Sequence, residues 1–407
     1  MISTRHNNAI AHQKFKKILL IKLSAFGDVI HTLPLYNALR RQYPSAQIDW
    51  LTKPSNALFL RDYIGIENVL VYGENHTEAP QYNWDGITHF GRLIKDQRFL
   101  NLLKRLRTNR YDLVIDMQGQ MRSGFLSLVT GAPVRMGFDR PRKKIWAIEG
   151  KILPAGSIER AWKGAREGAW LAYTHPIVLS TLSRHPIDRN LLAAEMLGIH
   201  AQQSDHQIVT PPLPPRFGHS TLDDWLAAVD KPIILITPGT LWETKHWLED
   251  NFAAVARHFL QSGYAVVLTG EPNQKAKLDR ISEAAPGSEV LNTTLSEMAG
   301  LMRHCALILT NDSGPLHLAT ALGRTAIAIF GPTNPNWVGP YRRPNLAISA
   351  KRPCSPCFLR NLSRCNFSHA CMTEIKSEQV IRFMEDQLAR SGGVGNQADN
   401  LYKKNGI

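Results

Sequence analysis

Residues 311–317 place an acid, a hydroxyl, a glycine and a histidine in one short turn. The apolar run 306–310 before it predicts a buried strand, and residues 318–323 after it predict a short helix that ends at a glycine. Unpaired backbone N–H groups at a helix start carry partial positive charge and suit a phosphate. We therefore expect an anion site at Ser313 and Gly314. Asp312 would bind sugar hydroxyls or cap the helix, and His317 would donate to a phosphate or pack in the core.

A second polar turn, residues 237–247, follows the strand predicted at 232–237. Thr240 and Thr244 offer hydroxyls to a diphosphate, and Lys245 offers a cation. An ordinary solvated loop is the alternative interpretation. Glu271 follows the strand predicted at 265–269, where an acid can hydrogen-bond ribose hydroxyls, although a surface turn explains it equally well.

A third turn, residues 24–34, follows the first predicted strand. Gly27 allows a ligand to approach the backbone closely. The carboxylate of Asp28 could take a proton from an attacking hydroxyl. Taken by itself, this acid is better explained as a cap of the helix that follows. His31 is a rival base, or a residue that packs on the sheet.

A basic stretch in the first half predicts a surface that attracts a phosphorylated or acidic acceptor, unless it is a generic solvated face. Its cations are Arg122, Arg135, Arg140, Arg142, Lys143, Lys144, Lys151, Arg160, Lys163 and Arg166.

Cysteines at positions 354, 357, 365 and 371 lie within 18 residues of one another. Four thiolates can hold a structural zinc ion tetrahedrally. The spacing of Cys365 and Cys371 is wider than zinc sites usually have, so no metal is the favoured interpretation and zinc the alternative. A redox pair lacks a thioredoxin-like context.

The elements that must position these residues alternate between strand and helix in two halves. Apolar runs at 17–23, 47–52, 68–72 and 112–116 predict strands of the first half, with helices at about 29–43 and 93–107. In the second half the runs are 232–237, 265–269, 306–310 and 325–330, with a helix at 251–262. Such runs, separated by helices, favour parallel sheets covered on both faces, and turns at the ends of neighbouring strands form a ligand crevice.

We expect six segments along the chain. They are a flexible N-terminal extension (1–16), an N-terminal acceptor-binding domain (17–210), a proline-rich linker region (211–231), a C-terminal nucleotide-sugar-binding domain (232–375), a C-terminal helix (376–390) and a disordered tail (391–407). Neither half contains a dinucleotide-binding glycine fingerprint or a P-loop, which disfavours dehydrogenases and P-loop enzymes.

The amino-acid composition narrows the classes of molecule that this protein could bind. The 407 residues are 43% hydrophobic, and the net charge of +14 indicates an anionic partner. The spacings of common nucleic-acid-binding motifs are missing, so we do not expect nucleic acid. We find no secretory signal and no apolar stretch long enough to span a membrane, and five cysteines suggest a reducing compartment. We expect a cytoplasmic protein.

Taken together, the motifs resemble the ADP-heptose:lipopolysaccharide heptosyltransferases of glycosyltransferase family 9. The matching residues are 24–34, 116–119, 245–247, 312–317, 330–335, 354–358 and 371–372. The resemblance implies a GT-B fold, in which two Rossmann-like doubly wound domains flank an interdomain cleft. It also implies an inverting transfer that requires no metal or cofactor, with ADP-heptose as the donor substrate.

The resemblance assigns roles to the candidate residues. It makes Asp28 the general base, against the cap interpretation. The proposed donor ligands are Thr240, Thr244, Lys245, Glu271, Asp312, Ser313, Gly314, Pro315 and His317. The proposed acceptor ligands are Gly27, Gln118, Arg122, Arg135 and Arg142. The acceptor would be lipid A carrying Kdo or heptose of the lipopolysaccharide inner core, bound by a monomer that contacts the inner membrane peripherally.

The sequence departs from the family pattern at two places, and two alternative functions stay open. The loop 239–245 is longer than the heptosyltransferase I pattern, which leaves Thr240 and Thr244 uncertain, and the donor-sugar acid near Glu271 is not clear. The alternatives are another nucleotide-sugar enzyme on the same fold, such as an epimerase, and a non-catalytic binding protein for acidic glycolipid.

Overall fold

The computed structural model describes residues 10–63, 65–73, 96–140, 147–148, 151–152, 164–179, 184–207 and 221–392. The chain divides into two compact units. The N-terminal unit comprises residues 1–153 and 161–211, and the C-terminal unit comprises residues 154–160 and 212–407.

The N-terminal unit is built on a parallel sheet that, in the described part of the chain, has six strands in the order β3-β2-β1-β4-β5-β8. The strands of this unit are β1 (Lys17–Ile21), β2 (Gln47–Thr52), β3 (Val69–Val71), β4 (Leu113–Asp116), β5 (Val134–Phe138), the hairpin strands β6 (Ala147–Ile148) and β7 (Lys151–Ile152), and β8 (His175–Ile177). Its helices are α1 (Phe26–Ile30), α2 (Leu33–Gln42), α3 (Pro54–Arg61), α4 (Gln97–Thr108), α5 (Met121–Thr130) and α6 (Pro186–Met196), with 3-10 turns at Ala169–Ala172 and Gln203–His206.

The C-terminal unit repeats this plan with the order β11-β10-β9-β12-β13-β14 among its described strands. These are β9 (Ile233–Thr237), β10 (Ala265–Leu268), β11 (Glu289–Val290), β12 (Cys305–Asn311), β13 (Ala326–Phe330) and β14 (Ala347–Ser349). The helices are α7 (Thr221–Ala228), α8 (Glu249–Gln261), α9 (Lys275–Glu283), α10 (Leu295–His304), α11 (Gly314–Ala321), α12 (Pro335–Val338), α13 (Ala370–Thr373) and α14 (Ser377–Gly392), with 3-10 turns at Glu243–Lys245, Pro272–Gln274, Pro344–Leu346 and Leu362–Arg364.

Central strands of both units are buried along their length, as continuous apolar runs predict. Residues 18–21 of β1 and all of β9 are buried. In the C-terminal unit Trp247 and Phe252 pack edge to face in the core, with ring centroids 4.9 Å apart. Burial of each large side chain contributes about 1.5–3 kcal/mol, so these strands hold the loops at their ends in fixed positions.

Two predicted helices differ from the observed ones. The segment predicted as one helix at about 29–43 is two helices, α1 and α2, and Pro34 lies in the first turn of α2, where its missing N–H costs nothing. The helix predicted from residue 318 begins four residues earlier, at Gly314. The glycine–proline pair that reads as a turn in the sequence is therefore the first turn of α11.

An α-helix able to cross a lipid bilayer is not found among the described residues.

Candidate functional site

The carboxyl ends of β9, β12 and β13 lie side by side, because these strands are neighbours in a parallel sheet. Asn311 joins the loops that follow β9 and β12, since its amide Nδ2 donates to the carbonyl of Pro238 at 2.8 Å. The Thr310 hydroxyl donates to the carbonyl of Thr237 at 3.2 Å. The turns predicted to bind the donor thus meet at one edge of this sheet.

Lys245, Asp312 and Thr333 form a chain of polar contacts across these loops. The Lys245 ammonium lies 2.6 Å from Asp312 Oδ2, and the Thr333 hydroxyl donates to the same oxygen at 2.6 Å. Asp312 is 3% exposed and Lys245 is 13% exposed, so the pair is largely withdrawn from water. Asp312 does not cap α11, because the N-cap residue of that helix is Ser313. Its carboxylate instead holds the lysine that the sequence assigns to a diphosphate.

The N-terminus of α11 has no side-chain cap. The Ser313 hydroxyl does not bond to the first turn of the helix and lies instead near Thr310 Oγ1, at 3.2 Å. Pro315 follows Gly314 and has no N–H to offer. His317 is half-buried inside α11, one turn further along. Ser313 and Gly314 directly follow Asp312 in the sequence, so their polar groups are the ones of α11 that lie next to this residue along the chain.

The aromatic ring of Trp242 attracts two cations. Lys245 Nζ lies 4.3 Å from the ring centroid, and the guanidinium carbon of Arg360 lies 4.9 Å from it. Such contacts contribute about 0.5–2 kcal/mol each. The contact with Trp242 helps to hold Lys245 near the edge of the sheet.

The sequence suggests that the Thr244 hydroxyl binds the donor, but in the structure it is bonded within the protein. Its hydroxyl is buried and donates to the carbonyl of Leu359 at 2.6 Å, and its own carbonyl lies 2.7 Å from His369 Nε2. These contacts join it to the cysteine-bearing segment. Thr240 is half-buried in the same loop, and Glu271 is exposed at the start of the Pro272–Gln274 turn.

The sequence analysis included His246 in the motif 245–247 but gave it no role, and it did not single out Lys277. The Lys277 ammonium lies 2.7 Å from His246 Nδ1. Burial lowers the pKa of His246 to about 4, and the positive charge of Lys277 adds to the effect. Burial also lowers the pKa of Lys277. No sequence signal marks this contact, because it joins a loop to a helix 31 positions away.

Cys357 and Cys371 lie within electrostatic reach of one another and of Cys354 and Cys365. All four are free thiols. Burial raises the pKa of Cys371 to about 12 and raises that of Cys357. Among the described residues, no three His, Cys, Asp or Glu side chains are arranged to hold a metal ion, so the zinc alternative gains no support from the geometry.

In the N-terminal unit, Asp28 lies in the first turn of α1. Its carboxylate is 31% exposed and lies 4.0 Å from His31 Nδ1. Asp28 is not the N-cap of α1, because that position is Ala25. Its carboxylate makes only the weak reciprocal contact, in which the backbone N–H of Ala25 approaches Oδ2 at 3.4 Å. His31, the rival base, is buried. Of these two groups, Asp28 is the one that a substrate can reach.

Gln118 and Asp116 shape the loop that carries Asp28. The Gln118 side-chain oxygen accepts hydrogen bonds from Leu23 N at 3.1 Å and Ser24 N at 3.2 Å, so it fixes the loop from within. Asp116 is fully buried and accepts from Gln118 N at 2.8 Å and from the Tyr173 hydroxyl at 2.7 Å. Burial raises the pKa of Asp116, and these hydrogen bonds oppose the shift.

Two buried cations near Asp28 were missed by sequence reasoning. Lys22 directly follows β1, and its ammonium donates to the carbonyl of Met117 at 2.9 Å. Burial lowers its pKa, while Asp28 and Asp116 raise it. Arg189 on α6 is 6% exposed. Burial lowers its pKa to about 10, and Asp28 opposes that shift.

The predicted acceptor residues have different surroundings in the structure. Gly27 is buried in α1, next to Asp28. Arg122 is half-buried and donates to Gln120 Oε1 at 2.6 Å. Arg135 donates to the backbone carbonyls of Ala172 and Ala132, so its guanidinium joins β5 to the neighbouring turn rather than facing an acceptor. Arg142 lies outside the described residues, as do the cations at 143, 144, 160 and 163.

Comparison with known proteins adds a family model and several relatives. The model of glycosyltransferase family 9 (heptosyltransferase) matches residues 99–157 and 154–366. Lipopolysaccharide heptosyltransferase 1 of Pseudomonas aeruginosa is 28% identical over 346 residues, which cover 84% of this chain and 86% of that protein. Lipopolysaccharide heptosyltransferase 1 of Salmonella typhimurium is 26% identical over 346 residues, covering 84% and 94% respectively.

Solved structures support the GT-B fold class. A glycosyl transferase family 9 protein from Veillonella parvula superimposes with a TM-score of 0.68 at 20% identity, covering 94% of this chain and 99% of that one. The Escherichia coli heptosyltransferase WaaC, solved with ADP-2-deoxy-2-fluoro heptose, gives a TM-score of 0.62 at 21% identity, covering 91% and 99%.

Proposed function

Because the chain belongs to glycosyltransferase family 9, and is thus a transferase, we propose that it moves a heptose from ADP-heptose to the inner core of lipopolysaccharide. The observation that supports this proposal is the Lys245–Asp312 ion pair, whose Asp312 directly precedes the uncapped start of α11. A lysine and backbone N–H groups at one point suit the diphosphate of a sugar nucleotide. The choice of acceptor is supported by relatives that are lipopolysaccharide heptosyltransferases, and the choice of donor by one that was solved with ADP-2-deoxy-2-fluoro heptose.

In this proposal Asp28 is the general base. It removes the proton of an acceptor hydroxyl as the oxygen attacks the anomeric carbon of the donor, with inversion at that carbon. The bond between this carbon and the diphosphate oxygen breaks, and ADP leaves with an added negative charge. Lys245 and the first N–H groups of α11 stabilise that charge. The half-exposed position of Asp28 and the burial of His31 support this assignment.

We assign the donor site to Lys245, Asp312, Ser313, Gly314 and His317, with Thr240 and Glu271 at its margin. Thr244 is better explained by its bond to Leu359. For the acceptor we keep Gly27, Arg122 and Arg142, while Gln118 supports the loop. A net charge of +14 favours work at an anionic membrane surface that carries the lipid-linked acceptor.

The experiment compares Asp28→Asn with the wild type. Purified protein is mixed with ADP-heptose and a lipid A acceptor that carries Kdo, and ADP release and the mass of the product are recorded. We expect Asp28→Asn to lower kcat by about 10²- to 10⁴-fold while it still binds ADP-heptose, because only proton removal is lost. Asp96→Asn is the matched control, since asparagine replaces aspartate well at a helix N-cap.

Full activity of Asp28→Asn would refute the base assignment. Donor consumption by the wild type without acceptor, with no glycosylated product, would indicate a hydrolase or epimerase instead.

A further inference from the structure

The loop that follows β9 is held by its carbonyl groups. The carbonyl of Pro238 accepts a hydrogen bond from Asn311 Nδ2 at 2.8 Å and a longer one from the Lys277 ammonium at 3.4 Å. The C=O and N–H groups of a planar trans peptide point in opposite directions. The N–H of Gly239 shares its peptide with the Pro238 carbonyl and therefore points away from both donors.

The imidazole of His246 holds a second carbonyl of this loop. An ammonium group has donors and no acceptor, so the Lys277 ammonium, 2.7 Å from His246 Nδ1, donates to that nitrogen. The proton of the neutral ring is then on Nε2. The Thr240 backbone hydrogen-bonds to this ring and raises its pKa, as an acceptor does, so the ring N–H donates to the Thr240 carbonyl. By the same peptide geometry, the N–H of Leu241 points away from His246.

The loop also lies directly against the turn that precedes α9. Gly239 is buried, and a side chain at this position would collide with the side-chain amide of Gln274. The absence of a Cβ at Gly239 thus permits this close approach. Packing therefore prevents the loop from moving toward α9, and the hydrogen bonds to its carbonyls prevent it from moving away.

Lys277 is an unusual choice for a contact of this kind. It is half-buried, and burial lowers its pKa. Glu249 is the carboxylate that acts on it, yet the ion pair of Glu249 is with Arg280, at 2.8 Å. The ammonium uses its hydrogen bonds on a ring nitrogen and a loop carbonyl instead. A partly desolvated cation in such a place costs stability, which points to a role beyond packing.

We propose that Lys277 and His246 are positioning residues of the donor site, which turn the 238–241 peptides so that the N–H groups of Gly239 and Leu241 face the donor's diphosphate. This inference rests on the proposed function and adds to its donor site. Two backbone N–H groups held in a fixed direction bind an anion without reorganising when it arrives. Lys277 and His246 act through the loop and do not touch the donor themselves.

Lys277→Met tests the inference through the donor. We expect the KM for ADP-heptose and the Kd for ADP to rise about 10-fold, the value of one hydrogen bond to a charged group, and the KM for the lipid acceptor to stay within about threefold. Lys277→Arg keeps donors for both contacts and should return the donor KM to within about threefold of the wild type. Lys275→Met, at an exposed lysine on the same helix, is the matched control and should change none of these values.

Ring ¹⁵N NMR shifts of His246 give a readout that does not depend on turnover. In the wild type the neutral ring should be a single tautomer, with the proton on Nε2. In Lys277→Met both tautomers should be populated, and the pKa of His246 should rise above about 4, because the charge of Lys277 lowers it. His246→Gln should raise the donor KM as Lys277→Met does, and the double variant should show no further rise, since both residues hold one loop.

Three results would overturn the inference. An unchanged donor KM in Lys277→Met, with the His246 tautomer altered, would make the pair a structural contact only. An equal rise in the KM values for donor and acceptor would show damage that is not confined to the donor loop. A donor KM in Lys277→Arg as high as in Lys277→Met would remove the role of the ammonium as a hydrogen-bond donor. Failure of the proposed function looks different, because the wild type would then neither bind ADP nor consume ADP-heptose.

Discussion

Removal of Lys245 should damage both stability and catalysis, and the two effects can be separated. In Lys245→Met the carboxylate of Asp312, which is 3% exposed, keeps the hydrogen bond from Thr333 as its one side-chain contact from the described residues. Breaking a buried ion pair from one side costs about 3–5 kcal/mol. Because Lys245 is 13% exposed and Thr333 remains, we expect a value near the lower end, about 3 kcal/mol. For a unit of this size that lowers its unfolding temperature by roughly 6–12 °C.

The double variant Lys245→Met/Asp312→Asn distinguishes the two roles. An asparagine at 312 carries no charge, so most of the lost stability should return. The activity should not return, because the diphosphate still lacks its cation, and we expect kcat to stay about 10²- to 10³-fold below the wild type. The assay pairs thermal unfolding with ADP release at saturating donor.

An exposed pair provides the matched control. Lys275 and Asp279 lie one helical turn apart, 2.7 Å between Nζ and Oδ2, and are 60% and 38% exposed. Lys275→Met should cost less than about 1 kcal/mol and leave kcat unchanged. Recovery of activity in the Lys245→Met/Asp312→Asn variant would refute the reasoning, because Lys245 would then serve only to neutralise Asp312.

Two further predictions concern titrating groups of the C-terminal unit. His246 titrates at about 4 in the folded protein against 6.5 in the unfolded chain, so the unfolded chain binds more protons in between and stability is lost as the pH falls from 6.5 toward 4. Discounted for partial solvent screening, the loss is about 1–2 kcal/mol, and urea unfolding of His246→Gln at pH 4.5 and 7 should show a smaller difference than the wild type. Burial raises the pKa of Cys371 to about 12 and that of Cys305 further, so at pH 8 iodoacetamide should modify the more accessible Cys354 well before either, as read by peptide mass spectrometry. Earlier modification of Cys305 than of Cys354 would contradict this order.

The alternation of strands and helices could be predicted because its cause is local. Every residue of β9 is apolar or small and every one is buried, and the prediction of a strand there needed no knowledge of its neighbours. Strand β2 was also predicted correctly, since its observed bounds equal the predicted ones. The start of α11 was placed too late because Gly314 and Pro315 are typical of turns. At the first turn of a helix both are tolerated, since the proline N–H would be unpaired there in any case.

The side-chain contacts of the candidate site could not be predicted, because they join loops that are distant in sequence. Lys245 and Asp312 meet only because β9 and β12 are adjacent in the sheet. Arg135 belongs to a basic stretch that suggested an acceptor surface, yet its guanidinium satisfies two backbone carbonyls. Arg189 gave no signal at all, since an arginine on a helix is normally a solvated cation. Burial decides these cases, and burial depends on the whole fold.

The pairing of Lys245 with Asp312 bears on how the proposed donor site would act on a diphosphate. In the proposed donor site Asp312 holds the ammonium group of Lys245 in place. A diphosphate carries more negative charge than one carboxylate and gains a further charge as the sugar leaves. It therefore attracts the ammonium more strongly in the transition state than in the ground state, which is the condition for catalysis.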